Sequence, residues 1–320
     1  MPIPLGELAA VGTACCWTVS SLAFSAAGRR MGSLSLNLVR LVIAFLLVTT
    51  YCTIRRGTPL PLDASPRTWF WLLTSGLVGY VLGDLCLFRA FVLIGPRLSM
   101  LIMALAPPIT AVLGFFLLNE RISSLGIIGM AITIAGVAWV VRERPVSTFG
   151  ASGGLRPPAP QTPDPTNSAA ASISKRDLQQ GILLGLGGAF GQALGLVLSK
   201  IGMGNYDPVA SGQIRIIAGM LGFSAIFTAV GWWRKTREGI RDKTAVGYAT
   251  LGALVGPVLG VSLSLVAVQL TETGVAATIM STTPVLIIPV VILSGQERVS
   301  TRAGIGAVLA VAGVALLWVR

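Results

Sequence analysis

The sequence predicts an all-α integral membrane protein of ten transmembrane helices, arranged as two inverted five-helix repeats. Three observations carry this prediction. The composition suits lipid, ten apolar runs approach spanning length, and the second half of the chain repeats the first.

Composition comes first. Of 320 residues, 53% are hydrophobic and 11% are charged, where a soluble domain carries about 25% charged residues. Mean hydropathy is +0.80. The net charge is +12, but the bases cluster between apolar runs, as in Arg234-Lys235-Thr236-Arg237 and Arg241-Asp242-Lys243. Bases so placed set topology and meet anionic lipid headgroups. They do not form a nucleic-acid patch, so membrane lipid is an expected partner and nucleic acid is not. The chain has no histidine, and its four cysteines, Cys15, Cys16, Cys52 and Cys86, lie within apolar runs without metal-ligand spacing. Metal chemistry and Ser-His chemistry therefore have no support. No cofactor is expected, and the chain is not read as an enzyme.

The spans follow from length, since a bilayer core of about 30 Å takes roughly 20 apolar residues as a helix. The first half offers Leu5–Ala27, Leu34–Ile54, Trp69–Ile94, Leu98–Leu118 and Leu125–Val141. The second offers Gly181–Ile201, Val209–Trp233, Ala245–Leu270, Val275–Leu293 and Ala303–Val319. The first run lacks a basic n-region and is read as a retained helix rather than a signal peptide. Between the halves, residues 144–176 hold six prolines among many Ser, Ala, Thr and Gly residues, a composition that reads as a flexible linker. Residues 1–143 form the first repeat and residues 177–320 the second.

The repeat is visible in register. At an offset of 177, residues 77–143 lie on 254–320 without a gap and with about twenty identities. Pro107 falls on Pro284, Glu120-Arg121 on Glu297-Arg298, and Ala135-Gly136-Val137-Ala138 on Ala312-Gly313-Val314-Ala315. At an offset of 175, Arg40 in LNLVRLVIA falls on Arg215 in SGQIRIIAG. Five spans per half is an odd number, so the second copy enters the membrane from the opposite side. Inverted repeats of this kind recur in secondary transporters, which place their sites near the midplane between the halves.

The segments LNLVRLVIAF, IGPRLSMLIMALAPPITAVLGFFLLNERIS and GVAATIMSTTPVLIIPVVILSGQERVS, with the glycine- and alanine-rich spans that follow the last two, resemble the EamA family of the drug/metabolite transporter superfamily. The resemblance covers nearly all of the chain outside the linker. It implies a carrier with a central cavity lined mainly by helices one, three and four of each half. It also implies amino-terminal and carboxy-terminal ends in the cytoplasm. The count of bases argues otherwise. With Arg40, Arg89 and Arg215 taken as intramembrane, that orientation leaves inside only Arg55, Arg56, Arg67, Arg121, Lys200 and Arg320. The positive-inside rule therefore favours both ends outside and a cytoplasmic linker.

Individual residues refine the expectation. Pro107 and Pro284 sit mid-span, where each frees the carbonyl four residues earlier; both are expected to kink a helix and line the cavity. Glu120-Arg121 reads as interfacial punctuation, with Ser123 capping the next helix. Gly187, Gly191 and Gly195 are spaced by four, as are Gly252, Gly256 and Gly260, a spacing that lets helices approach closely. The stretch GLGGAFGQALG is no dinucleotide loop, because it lies within a span and lacks the third glycine.

Charge inside a span is the sharpest signal. Asp84 lies deep in the third span. Arg40 of the second span is its better partner, because Arg89 sits about 140° around the same helix. Asp84 is expected to serve substrate or a proton, since Val261, its counterpart, shows that the repeat packs without a charge there. The second half supplies Gln192, Gln213, Gln269, Ser262 and Ser264, which suggests a cavity charged at one end and amide-rich at the other. Trp17 and Tyr80 are mid-span aromatics able to stack on a solute. The candidate substrate-binding residues are thus Trp17, Arg40, Tyr80, Asp84, Pro107, Gln192, Gln269 and Pro284. Together these point to a multi-pass carrier of the cell (inner) membrane, monomeric or homodimeric. It moves a small metabolite or drug-like solute outward by alternating access, driven by a gradient because no ATP-binding motif occurs. A lipid-carrier flippase, or a non-transporting subunit of a membrane complex, is the alternative.

Overall fold

The computed structural model describes residues 5–121, 124–141, 174–280, 282–283, 285–287, 290 and 301–316. All regular structure among them is helical. In chain order the helices are α1 (Leu5–Met31), α2 (Ser33–Arg56), α3 (Pro66–Gly95), α4 (Leu98–Leu118), α5 (Ser124–Val141), α6 (Lys175–Met203) and α7 (Pro208–Val230). They continue with α8 (Trp233–Ile240), α9 (Lys243–Leu270), α10 (Thr273–Met280) and α11 (Thr301–Leu316).

Seven of them, α1 to α4, α6, α7 and α9, are long and apolar enough to cross a membrane. The fifth and tenth expected spans are α5 and α11, which carry the shorter apolar stretches Ile127–Gly136 and Gly304–Gly313. The ninth begins as α10, and much of it lies outside the described residues, as do Ser123, Pro284 and Glu297-Arg298. Helix α6 starts at Lys175, two residues inside the segment read as linker, because Ser174 accepts a hydrogen bond from the Arg176 amide and opens the helix there.

The helix ends have local causes. Ser65 accepts from the Thr68 amide and Pro66 opens α3. Asp207 accepts from the Ala210 amide and Pro208 opens α7. Asp242 accepts from Thr244 and Ala245 at the start of α9. Arg30, hydrogen-bonded to Asp242, holds that carboxyl below the usual carboxylate range. Between α3 and α4, Gly95 adopts φ 79, a left-handed φ that glycine takes without a side-chain clash. The expected boundary between the third and fourth spans falls there.

Two helices carry a wider, π-type turn within the span. In α3 it covers Leu77–Gly83 and in α9 Leu254–Gly260, 177 residues apart, the offset of the sequence repeat. Pro257 lies inside the second and cannot donate a backbone hydrogen bond. Tyr80 holds the same place in the first, so the wide turn belongs to the shared segment and not to proline alone. Helix α4 breaks at Ala104–Leu105, whose amides bond back three residues to Leu101 and Ile102. Pro107 and Pro108 then open its second half. The kink expected at Pro107 is present, and it begins three residues earlier, at Ala104.

The glycine faces pack the halves together reciprocally. A Cβ on Gly191 of α6 would lie 2.6 Å from the Gly83 Cα of α3, and one on Gly195 would lie 3.0 Å from the Gly79 Cα. At the reciprocal seam, Gly260 and Gly256 of α9 meet Cys16 and Ser20 of α1 at 3.1 and 3.0 Å by the same measure. Cys16 and Ser20 match Gly191 and Gly195 at the offset of 175, and Gly83 and Gly79 match Gly260 and Gly256 at 177. Each contact between the halves at one seam thus has its counterpart at the other. Hydroxyls reinforce the α3–α6 seam, where Ser75 donates to the Gly195 carbonyl at 2.6 Å. The bundle is apolar outside, with Phe70, Phe116 and Leu183 exposed, and holds buried polar side chains such as Thr13, Asn37, Ser75 and Ser199. That distribution suits lipid rather than water.

Candidate functional site

Helices α1 to α4, α6, α7, α9 and α10 enclose a central cavity of about 130 Å³. Its charged wall is built from α2 and α3. The wide turn of α3 ends at Gly83, and the next residue, Asp84, is 5% exposed. Arg40 of α2, 3% exposed, donates Nη2 to Asp84 Oδ2. Gln192 of α6 donates Nε2 to Asp84 Oδ1 at 2.6 Å. Both oxygens of the carboxylate are therefore engaged. Arg40 is held further by Asn37 Oδ1, 3.2 Å from its Nη2, and by the Phe88 ring, 4.7 Å from its guanidinium carbon. A buried ion pair of this kind persists only when hydrogen bonds and geometry offset desolvation, and here four side chains supply them.

The second arginine, Arg215 of α7, is also 3% exposed. Its guanidinium lies 5.0 Å from the Tyr80 ring centre. Among the described residues it has no ion pair, and its Nε has no hydrogen-bond partner. The Tyr80 and Thr110 hydroxyls, both on the cavity wall, likewise lack partners.

The two repeats place matched positions around this cavity and fill three of the four differently, keeping arginine at the fourth. Trp17 corresponds to Gln192, Arg40 to Arg215, Tyr80 to Pro257 and Asp84 to Val261. All eight line the wall. The site is thus symmetric in position and asymmetric in chemistry.

Six of the residues expected from the sequence, Trp17, Arg40, Tyr80, Asp84, Pro107 and Gln192, come together on the cavity wall. Gln269 is a correction. It is not on the wall, and its Nε2 donates to the Gly204 and Tyr206 carbonyls near the end of α9, bracing the α6–α7 turn. Pro284 lies outside the described residues. Gln213 also turns away, donating to Thr49 Oγ1 and the Pro59 carbonyl. The expected division into a charged end and an amide-rich end therefore does not form, because Gln192, the amide that does reach the cavity, sits on the carboxylate. Arg89 is exposed, which leaves Arg40 as the partner of Asp84. Arg215 was absent from the expected site, although its match to Arg40 was the available signal. Thr110 had no signal, since one threonine in an apolar span resembles any other.

Glu120 does more than punctuate a helix end. Its Oε1 accepts from Lys200 Nζ at 2.9 Å and from Thr273 Oγ1 at 2.9 Å. Lys200 also donates to the Thr271 carbonyl at 3.2 Å. This network ties α4 to α6 and α10 at one end of the bundle.

Fold and site define a class: a multi-pass helical membrane protein with a solute-sized, largely apolar cavity that carries a few buried charges between two matched sets of helices. The chain belongs to the EamA-like transporter family, whose family model matches residues 4–142 and 179–319. That membership is consistent with the drug/metabolite transporter superfamily. A curated relative is the uncharacterized membrane protein YMR253C of Saccharomyces cerevisiae, 25% identical over 205 residues. The match covers 62% of this chain and 46% of the yeast protein, so the chain spans about half the length of that relative. A solved structure, described only as the crystal structure of a protein, superposes with a TM-score of 0.60 at 18% identity. It covers 97% of this chain and 95% of its own, a likeness of fold alone.

Proposed function

We propose that the protein is a secondary, gradient-driven carrier that moves a small metabolite or drug-like solute outward across the cell (inner) membrane by alternating access. One observation carries this reading: buried charges from α2, α3 and α7 converge on a cavity shared by the two repeats. Charge at such depth is costly in a membrane and marks a solute or ion path.

Inversion of the repeats is supported by where the helices begin and end. Gly6, at the start of α1, packs against Leu270 and Thr271 at the end of α9. Lys200, near the end of α6, reaches that same Thr271. Gly181, near the start of α6, packs instead against Ile94 at the end of α3. Helices α1 and α6 thus run in opposite directions, as two inverted copies require. The Glu120–Lys200 bridge joins helices of both repeats and closes one end. Alternating access would open that end and close the other.

The test is counterflow. Purified protein in sealed vesicles is preloaded with fractions of a metabolite pool, and retention of labelled solutes is measured. Saturable exchange that depends on the protein supports the carrier reading. No exchange with any fraction, from protein that is inserted and folded, rejects it.

A further inference from the structure

We propose that the cavity binds a small organic anion, with one carboxylate or comparable acid group held by Arg215, Tyr80 and Thr110. This deepens the carrier reading and rests on it for the site's purpose, though not for its chemistry.

Charge is the first argument. Among the described residues the cavity wall carries two guanidiniums, Arg40 and Arg215, and one carboxylate, Asp84. Asp84 is committed to Arg40, so one positive charge remains, on Arg215. The repeat shows what is missing. Arg40 has its acid at position 84, whereas the matching position for Arg215 is Val261. A guanidinium 97% buried has a high desolvation cost, and the Tyr80 ring offsets part of it. A visiting anion would supply the counter-charge that the described residues do not pair with Arg215.

Hydrogen bonding is the second argument. Buried polar groups are nearly always paired, yet Arg215 Nε, Tyr80 Oη and Thr110 Oγ1 are all buried and unpartnered. Tyr80 and Thr110 are 3% and 1% exposed. All three are able to donate, and all three belong to the same cavity wall. An acid group is acceptor-only when ionised and takes such donors together. A cationic or purely apolar solute would leave them unsatisfied.

The remaining wall sets the body of the ligand. Trp17, Phe24, Phe91, Met100 and Met280 are apolar or aromatic. A cavity of about 150 Å³ in an apolar core accommodates benzene, so about 130 Å³ fits a body of ring or branched-chain size. The structure thus assigns a compact amphiphilic acid, not a sugar or a large cation.

The test uses benzoate, neutral benzamide and cationic benzylammonium as matched probes on the full-length protein in detergent, read by thermal shift and tryptophan fluorescence. Benzoate should bind saturably and at least about tenfold more tightly than the other two, the range for hydrogen bonds to a charged group. Arg215→Gln should abolish the preference. In case that variant fails to fold, Tyr80→Phe and Thr110→Val each remove one hydroxyl and should weaken benzoate by about threefold to tenfold. Val261→Asp places the missing acid beside Arg215 and should abolish benzoate binding in a folded protein. Equal binding of the three probes, or benzoate binding untouched by Val261→Asp, overturns the proposal. Flux of permanently ionised benzenesulfonate into vesicles separates the two readings. Arg215-dependent benzoate binding without flux of any solute leaves the anion site and removes the carrier. Counterflow of neutral or cationic solutes without anion binding does the reverse.

Discussion

Replacing Asp84 by Asn would strand Arg40, and the structure sets the size of the effect. The substitution keeps the side chain's volume. Its remaining carbonyl oxygen still accepts from Arg40, and Gln192 needs only to turn its amide to meet the new NH2 group. Shape and hydrogen bonds therefore survive, and charge is what is lost. Arg40 keeps Asn37 and the rings of Phe24, Phe88 and Tyr80, 4.7 to 5.6 Å away, but no anion. Removing one partner of a buried pair costs about 3–5 kcal/mol, a large share of a net stability of about 5–15 kcal/mol. The retained hydrogen bond and the aromatic shell place the loss at the lower end, about 3 kcal/mol. The assay compares the yield of monodisperse protein and its thermal unfolding in detergent for wild type, Asp84→Asn, Arg40→Gln and the double variant. The double variant removes both charges and should recover most of the loss, because a contacting pair is strongly non-additive. If Asp84→Asn melts with wild type, or if the two losses add, the pair does not hold this site together. Asp84 would then be free for the substrate or proton role that Val261 at the matching position suggests.

Three further outcomes follow from the packing and the charges. Lys200→Gln should weaken the bridge to Glu120 and favour opening at that end, measured as faster alkylation of a cysteine placed at Thr273; an unchanged rate would show that the bridge does not close the bundle. Gly191→Ala puts a methyl group 2.6 Å from the Gly83 Cα, and overpacking of this kind costs about 1–3 kcal/mol. Folded yield should fall, whereas Gly247→Ala, where nothing lies within 4 Å, serves as the neutral control. For orientation, Ser168→Cys in a background without the four native cysteines should stay unlabelled by an impermeant thiol reagent in intact cells, as the distribution of bases requires; ready labelling would place the linker outside.

What the sequence made legible was whatever the bilayer constrains directly. Apolar length reports spans because no backbone group in lipid is left unpaired, so the ends of α1 to α4, α6, α7 and α9 fell close to expectation. Gly191 and Gly256 were legible because close helix contact admits only a small residue at those points. Asp84 and Arg40 were legible because a membrane penalises charge. Gln269 misled for the complementary reason. An amide near a helix end finds backbone carbonyls as easily as a cavity, and pattern alone does not separate the two fates. The wide turns of α3 and α9 were hidden because a π-type turn shifts the register of one helical turn without altering its composition. That shift carries functional weight. Tyr80 and Pro257 stand at matching positions of the two wide turns and both line the cavity, so the same backbone device presents a hydroxyl and an aromatic ring from one repeat and neither from the other. A duplicated scaffold imposes symmetry on where side chains arrive. Selectivity for an asymmetric solute requires that symmetry to be broken, and here it is broken at three of the four matched pairs, with arginine kept at the fourth, while the helix contacts that join the halves keep their positions.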